Sequence, residues 1–231
     1  MSISFPPAFF VTATDTAIGK TFVSSVLALG LGAGYWKPIR TGLPKDSDWV
    51  REHTGLEAGR CFKETYCFAS PISPHQAAQI EGTRIDLARI TMPDYAPLPH
   101  LIVEGAGGVM VPINERQTIL DLILHLNLPV LIVARSTLGT INHTTLTVDK
   151  LRRHSVPIIG VVMNGPQHER NRQSIEHYAR VPVLAEIEPM AMITPSTLMT
   201  AFHKYFGRNN DSNLRSNNVE SLASIHAGKN G

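Results

Sequence analysis

The sequence predicts an α/β fold with a mostly parallel sheet flanked by helices on both faces. Short apolar runs recur without alternating polar residues, the pattern of parallel strands buried on both sides. Amphipathic stretches at helical spacing separate them. The first run leads through small and polar residues into Gly19-Lys20-Thr21, a strand–loop–helix order suited to holding phosphate.

In chain order, Phe9–Thr12 reads as the first strand. Lys20–Leu31 follows as a helix with Val23, Val26, Leu27 and Leu31 on one face. Tyr35–Ile39 is the second strand. Residues 40–100 are interrupted by Pro44, Pro71, Pro74, Pro93, Pro97 and Pro99, and carry short helices at Ser47–His53 and Pro74–Ile80. Such an elaborated connection at the C-terminal edge of a sheet suits substrate contacts. Leu101–Glu104, Val130–Ala134, Ile158–Asn164 and Val183–Ile187 continue the strands. A helix marked by Leu120, Ile123, Leu124 and Leu126, and further helices at Ile141–Arg153 and Arg170–Tyr178, lie between them. Right-handed crossovers then bring the strand C-terminal ends to one edge, where ligands bind. Residues 1–207 are expected to form a single domain. The stretch 208–231, rich in Asn and Ser, is expected to be a disordered tail.

Composition narrows the function. The chain has 231 residues, 43% hydrophobic, enough for one sizeable core. A net charge of +2 is too mild for nucleic acid as the main partner. The basic cluster Lys150, Arg152 and Arg153 reads as a solvated helix end. Cys61 and Cys67 are too few for a four-ligand zinc site and suggest free thiols in a reducing compartment. Met1–Phe10 carries no Lys or Arg, unlike a signal or transit peptide, and no apolar run approaches the roughly 20 residues of a membrane span. A cytoplasmic protein is expected.

The strongest motif is Thr12–Thr21. A helix N-terminus presents unpaired N–H groups and the positive end of its dipole. Gly19 permits close approach of the backbone to phosphate, Lys20 can reach the β- and γ-phosphates, and the Thr21 hydroxyl is placed for Mg²⁺. Thr14 stands where the common pattern has glycine, and the loop is one residue longer than usual. The expected fold is therefore P-loop NTPase-like. Leu101–Glu104 ends in a carboxylate followed by Gly105-Ala106-Gly107-Gly108. Glu104 reads as a Mg²⁺ ligand or as a solvated end of a tight turn. Lys37 falls near the same edge, as a phosphate-facing cation or a surface lysine. Asp48 reads as a second metal carboxylate or a helix cap. Asp46 and Ser47 are the better capping residues, which leaves Asp48 freer for other work. Asn164, before Gly165, reads equally as a reader of a base edge and as a turn residue.

These segments together resemble dethiobiotin synthetase. Ala13-Thr14-Asp15-Thr16-Ala17-Ile18-Gly19-Lys20-Thr21 matches the family's lengthened loop, with Ala13 in place of its glycine. Ala17 stands where members carry an acidic or a small residue. Lys37-Pro38-Ile39-Arg40-Thr41-Gly42, Ser47-Asp48, Ser73-Pro74-His75, Glu104-Gly105-Ala106-Gly107-Gly108, Leu138-Gly139-Thr140-Ile141-Asn142-His143 and Asn164 follow in the family's order, from about Phe9 to Ile187. The resemblance implies formation of dethiobiotin from 7,8-diaminononanoate, CO₂ and MgATP, through a carbamate and a carbamic–phosphoric anhydride. It implies Lys20 and Lys37 as catalytic residues. It places ATP on Ala17, Ile18, Gly19, Lys20, Thr21, Phe22, Asp48, Glu104, Gly105, Ala106, Gly107, Asn164, Gly165, Glu188, Pro189 and Met190. Substrate falls to Thr16, Thr41, Gly139, Ile141 and Asn142, and Mg²⁺ to Thr21, Asp48 and Glu104. It also implies a homodimer in which Leu138–His143 of one subunit receives the substrate tail held mainly by the other. Two related classes compete, with a simple small-molecule kinase as a third alternative. Partitioning ATPases carry a signature lysine where this chain has Asp15. Cobyrinate-type amide synthetases usually append a glutaminase domain, for which this chain is too short.

Overall fold

The computed structural model describes residues 3–207; the expected tail at 208–231 lies outside the described residues. The chain opens with β1 (Ala8–Ala13), α1 (Lys20–Gly30) and β2 (Gly34–Trp36). The expected strand Tyr35–Ile39 is split. β2 stops at Trp36, Lys37 and Pro38 leave the sheet, and β3 (Ile39–Thr41) starts a separate ladder. Pro38 has no N–H to donate, so a continuous central strand is not available to this sequence. Then come α2 (Asp46–Thr54), β4 (Cys61–Phe62), β5 (Tyr66–Phe68) and α3 (Pro74–Ile80). The second half alternates regularly: β6 (Leu101–Gly108), α4 (Ile119–Leu126), β7 (Val130–Arg135), α5 (Thr140–Arg153), β8 (Ile158–Asn164), α6 (Glu169–Ser174, prolonged by a π-helical turn at Ile175–Ala179), β9 (Val183–Ile187) and α7 (Pro195–Phe206).

Seven strands form one sheet in the order β4-β2-β6-β1-β7-β8-β9, with every pairing parallel. β3 and β5 form a small second parallel sheet. Strand side chains alternate between two cores, as a period of two requires. Phe9, Val11, Ile102, Leu131 and Val133 pack against α1 and α7. Phe10, Leu101, Val103, Val130 and Ile132 pack on the other face with residues of α3, α4 and α5. Thr118 and Asp121 cap α4 reciprocally, the Thr118 N–H donating to the Asp121 carboxylate at 2.7 Å.

α7 is absent from the sequence expectations. Thr194 caps it, with Pro195 in its first turn, and Leu198, Ala201 and Phe206 are buried along its inner face. It lies on α1, where Gly30 admits the Phe202 ring; a Cβ there would stand 1.9 Å from that ring. Among the described residues no helix is long and apolar enough to cross a membrane, and Cys61 and Cys67 are free thiols.

Candidate active site

Three neighbouring strands deliver the site to one edge of the sheet. β1 runs into the phosphate loop, β2 into Lys37, and β6 carries Glu104 between them. Ala13 is the last residue of β1, in ladder register with Gly108 and Val133, and keeps an ordinary strand backbone. The alanine is therefore accommodated where the resemblance leads one to expect glycine. Positive φ is demanded four residues later, at Ala17 (φ 56°), and again at Gly19 (φ 90°). A left-handed alanine costs about 1 kcal/mol. Gly19 also faces the Asn164 amide, which a Cβ would meet at 2.2 Å.

Beyond the loop, α1 begins at Lys20 with its free N–H groups turned toward a cavity of about 420 Å³. Thr16, Ala17, Ile18, Gly19, Lys20, Thr21, Lys37, Thr41, Asp46, Glu104, Ala106 and Gly107 line it. Most of the expected phosphate, metal and substrate positions thus meet in one chamber. Gly105 lies behind its wall, packed so closely on Phe10 that a Cβ would approach that ring to 2.6 Å.

At the centre of the chamber is an ion cluster. The Lys37 ammonium lies 2.8 Å from Asp46 Oδ2 and 3.0 Å from Glu104 Oε1. The Thr21 hydroxyl is 2.8 Å from Glu104 Oε1 and 3.1 Å from Asp46 Oδ1, its single proton serving one at a time. The Tyr35 hydroxyl donates to Glu104 Oε2 at 3.2 Å. Glu104 is fully buried, so these partners stand in for lost hydration. Burial works against the charge of Lys37, but Glu104 and Asp46 outweigh it and hold its pKa above the ordinary lysine value. Lys20 goes the other way: burial dominates, the nearby Lys37 charge adds to it, and its pKa falls below the ordinary value despite Glu104. Burial first, and then the Glu104 charge, push the Tyr35 phenol well above its usual range.

Asp46, not Asp48, is the second carboxylate of this cluster. The residue flanking α2 is Lys45, so Asp46 is the first helical residue and its side chain turns back to Thr21 and Lys37. Asp48 is exposed and paired with Arg51, while Ser47 donates to Glu64 at 2.6 Å. Asp48 lies two helical positions after Asp46, a rotation of about 200°, which moves its side chain off the face that sees the loop. Tyr35 was also missed; its place two residues before Lys37, on the same expected strand, was the available signal.

Other expected positions lie around the chamber. Asn164 ends β8 and donates its amide N–H to the Ile18 carbonyl at 2.8 Å. Gly165 packs against Ser136. Phe22 and Met190 pack on the α1 side of the core, and Pro189 is exposed. The Glu188 carboxylate turns away toward α7, taking hydrogen bonds from Lys204 at 3.0 Å and Tyr205 at 3.1 Å. Gly139, Ile141 and Asn142 line a separate open apolar groove with Leu138, Thr145, Asn171 and Tyr178. Within one chain they do not meet the phosphate chamber.

Residues 7–197 match the family described as an AAA domain. The chain is 50% identical over 189 residues to the ATP-dependent dethiobiotin synthetase BioD of Paramagnetospirillum magneticum, covering 82% of this chain and 91% of that protein. It is 42% identical over 201 residues to the protein of the same name from Novosphingobium aromaticivorans, covering 86% and 96% of the two chains. Among solved structures it superposes on a ParA family ATPase from Chlorobium tepidum with a TM-score of 0.51 at 14% identity, covering 86% of this chain and 90% of that one. That likeness establishes the P-loop fold alone. At 50% identity over 189 residues that cover 91% of a relative, the chain belongs to the ATP-dependent dethiobiotin synthetases, which are ATP-dependent ligases.

Proposed function

We propose that this chain closes the ureido ring of dethiobiotin from 7,8-diaminononanoate, CO₂ and ATP. The supporting observation is that Lys37 bridges Glu104 and Asp46 in the chamber that also holds the phosphate loop and Thr41. An amine of the substrate adds to CO₂ and loses a proton, giving a carbamate. A carbamate oxygen attacks the γ-phosphorus as ADP leaves. The second amine attacks the resulting mixed anhydride, loses a proton and expels phosphate.

Each partner in the first phosphoryl transfer is anionic. Lys20 and Lys37 supply positive charge where the γ-phosphate and the carbamate approach each other. The raised pKa of Lys37 keeps it cationic throughout the neutral range. Thr16, Thr41 and the Ala106-Gly107 turn hold the diamine end, and this positioning favours the intramolecular ring closure. Asn164 has its N–H engaged by Ile18, which leaves its carbonyl oxygen to accept from the amino group of adenine. Because the Glu188 side chain is held by α7, base contacts from 188–190 fall to the backbone and to Pro189 and Met190.

Thr21, Asp46 and Glu104 offer a hydroxyl and two carboxylates, the hard oxygen set that suits Mg²⁺ beside a polyphosphate. A Mg²⁺ ion held by these residues would supply positive charge to a bound polyphosphate.

A homodimer completes the reading. Leu138 is 97% exposed, and Leu146, Tyr178 and Met110 are also exposed, so α5 and its surroundings present apolar surface suited to a second copy. The N-terminus of α5, at Gly139–Asn142, then receives the carboxylate tail of a substrate held in the partner's chamber.

The test is incubation of purified protein with diaminononanoate, bicarbonate and MgATP. The expected product is the cyclic urea by mass spectrometry, with ADP release that requires both diamine and bicarbonate. ADP release independent of the diamine would replace this reading with that of a simple ATPase.

A further inference from the structure

The phosphate loop is gripped from outside by the last residues of two adjacent strands. Arg135 ends β7 and Asn164 ends β8, and the two are in register across that ladder. Asn164 holds the loop at the Ile18 carbonyl. Arg135 holds an earlier residue of the loop, pairing through Nη2 with Asp15 Oδ2, 120 residues away in sequence. The other oxygen of Asp15 accepts the Thr16 N–H at 2.7 Å. One carboxylate therefore links the β7 strand end to the backbone of a residue that lines the chamber.

This arrangement answers a need of this particular loop. Between Thr14 and Ile18 it has no glycine, yet it takes positive φ at Ala17. A conformation that is unfavourable by itself persists when surrounding contacts over-determine it. We propose that Arg135 is a positioning residue for nucleotide binding: by holding Asp15 it fixes the Thr16–Ala17 turn, so that the loop N–H groups converge on phosphate before the nucleotide arrives. The inference rests on the ATP-dependent reading of the chamber and adds a residue outside the matched motifs. Arg135 has no place among the chamber's lining residues, so its effect passes through Asp15 and the loop backbone.

The experiment uses the full chain with Arg135→Gln, Asp15→Asn, the double variant and Arg135→Lys. Asp15→Asn retains an oxygen for the Thr16 N–H and removes the charge, which isolates the ion pair. Binding of a non-hydrolysable ATP analogue with Mg²⁺ is measured by calorimetry, alongside kcat and thermal melting. Both side chains are a third or more exposed, so each single variant should weaken binding about two- to fivefold. The double variant should be no weaker than either single one, and Arg135→Lys should retain most of the affinity. kcat at saturating ATP should stay within about twofold, because a loop once filled is held by its ligand. Unchanged binding in all variants, or losses that multiply in the double variant, would overturn the positioning role while leaving wild-type synthesis of the cyclic urea intact. A wild-type protein that binds no nucleotide would overturn both readings.

Discussion

Replacing Lys37 with glutamine removes a cation that touches both carboxylates of the chamber. Contacts of 2.8 and 3.0 Å to a single nitrogen place the Asp46 and Glu104 oxygens within about 6 Å of each other, where like charges at an effective dielectric constant of about 20 repel by about 3 kcal/mol. Glu104 is fully buried and cannot recover hydration, and breaking a buried pair from one side costs about 3–5 kcal/mol. Asp46 is about a quarter exposed, which screens its share and favours the lower end of that range. At about 2–4 °C per kcal/mol for a domain of this size, the melting temperature should fall by roughly 6–12 °C. Mg²⁺ with ATP should recover part of the deficit, because a divalent cation neutralises the same carboxylates. Turnover should drop by about 10²–10³, the scale of losing one preorganised charge at a reacting centre, while ATP affinity changes much less. Thermal melting with and without MgATP, together with ADP release at saturating substrates, measures each term. A Lys37→Gln protein with wild-type melting and wild-type kcat would refute the bridging role.

Other perturbations separate the remaining roles. Asp46→Asn and Glu104→Gln should each raise the Mg²⁺ concentration for half-maximal rate at least about fivefold, and Asp48→Asn should not; an equal shift from Asp48→Asn would restore Asp48 to the metal site. Because the folded pKa of Lys37 is raised, its ion pairs contribute stability that is complete below the unfolded value near 10.5 and lost as pH rises through the folded value. Wild-type melting should therefore fall more steeply than that of Lys37→Gln above that pH, and parallel curves would contradict the shift. Lys20 has a lowered pKa in the free protein, so an arriving polyphosphate should raise it and draw in a proton at pH below the ordinary lysine value. Calorimetric heats of ATP binding near that range should then depend on the buffer's ionisation enthalpy, and lose that dependence in Lys20→Ala. Finally, an inactive Lys37→Gln homodimer and an inactive homodimer disrupted at Gly139–Asn142 should recover about a quarter of wild-type activity when subunits exchange, since half the dimers are mixed and each holds one intact site. Exchange seen by native mass spectrometry with no recovered activity would show that each site is built within one chain.

The phosphate loop, Glu104 and the regular second half of the fold were legible because strand, loop and helix signals coincided there. Lys37 was legible as a candidate, but the reason for its burial was not, since Asp46 and Glu104 reach it from distant segments. The structure departs from the Asp48 expectation at a local step of the argument. Capping preference gave Asp46 to the helix end, whereas Lys45 occupies that place and frees Asp46 for the chamber. The turning of Glu188 toward Lys204 and Tyr205 was hidden for a similar reason, because it depends on α7. α7 did carry a readable start in Thr194-Pro195. Its value emerges only when Phe202 meets Gly30 on α1, a contact no local pattern displays.

The position of β6 in the sheet sets an order on how the molecule is made. Among the described residues β1 and β2 share no ladder; each pairs instead with β6, which begins at Leu101. As the chain leaves the ribosome, the strand that feeds the phosphate loop and the strand that feeds Lys37 have nothing to join them until Leu101–Gly108 emerges. Pairings this distant in sequence carry a loop-closure penalty that must be met before the contacts are gained. Glu104 arrives on the strand that performs the joining. Nascent chains halted before Leu101 should therefore be unable to retain ATP, and those released after β7 should be the first in which the loop has strands on both sides.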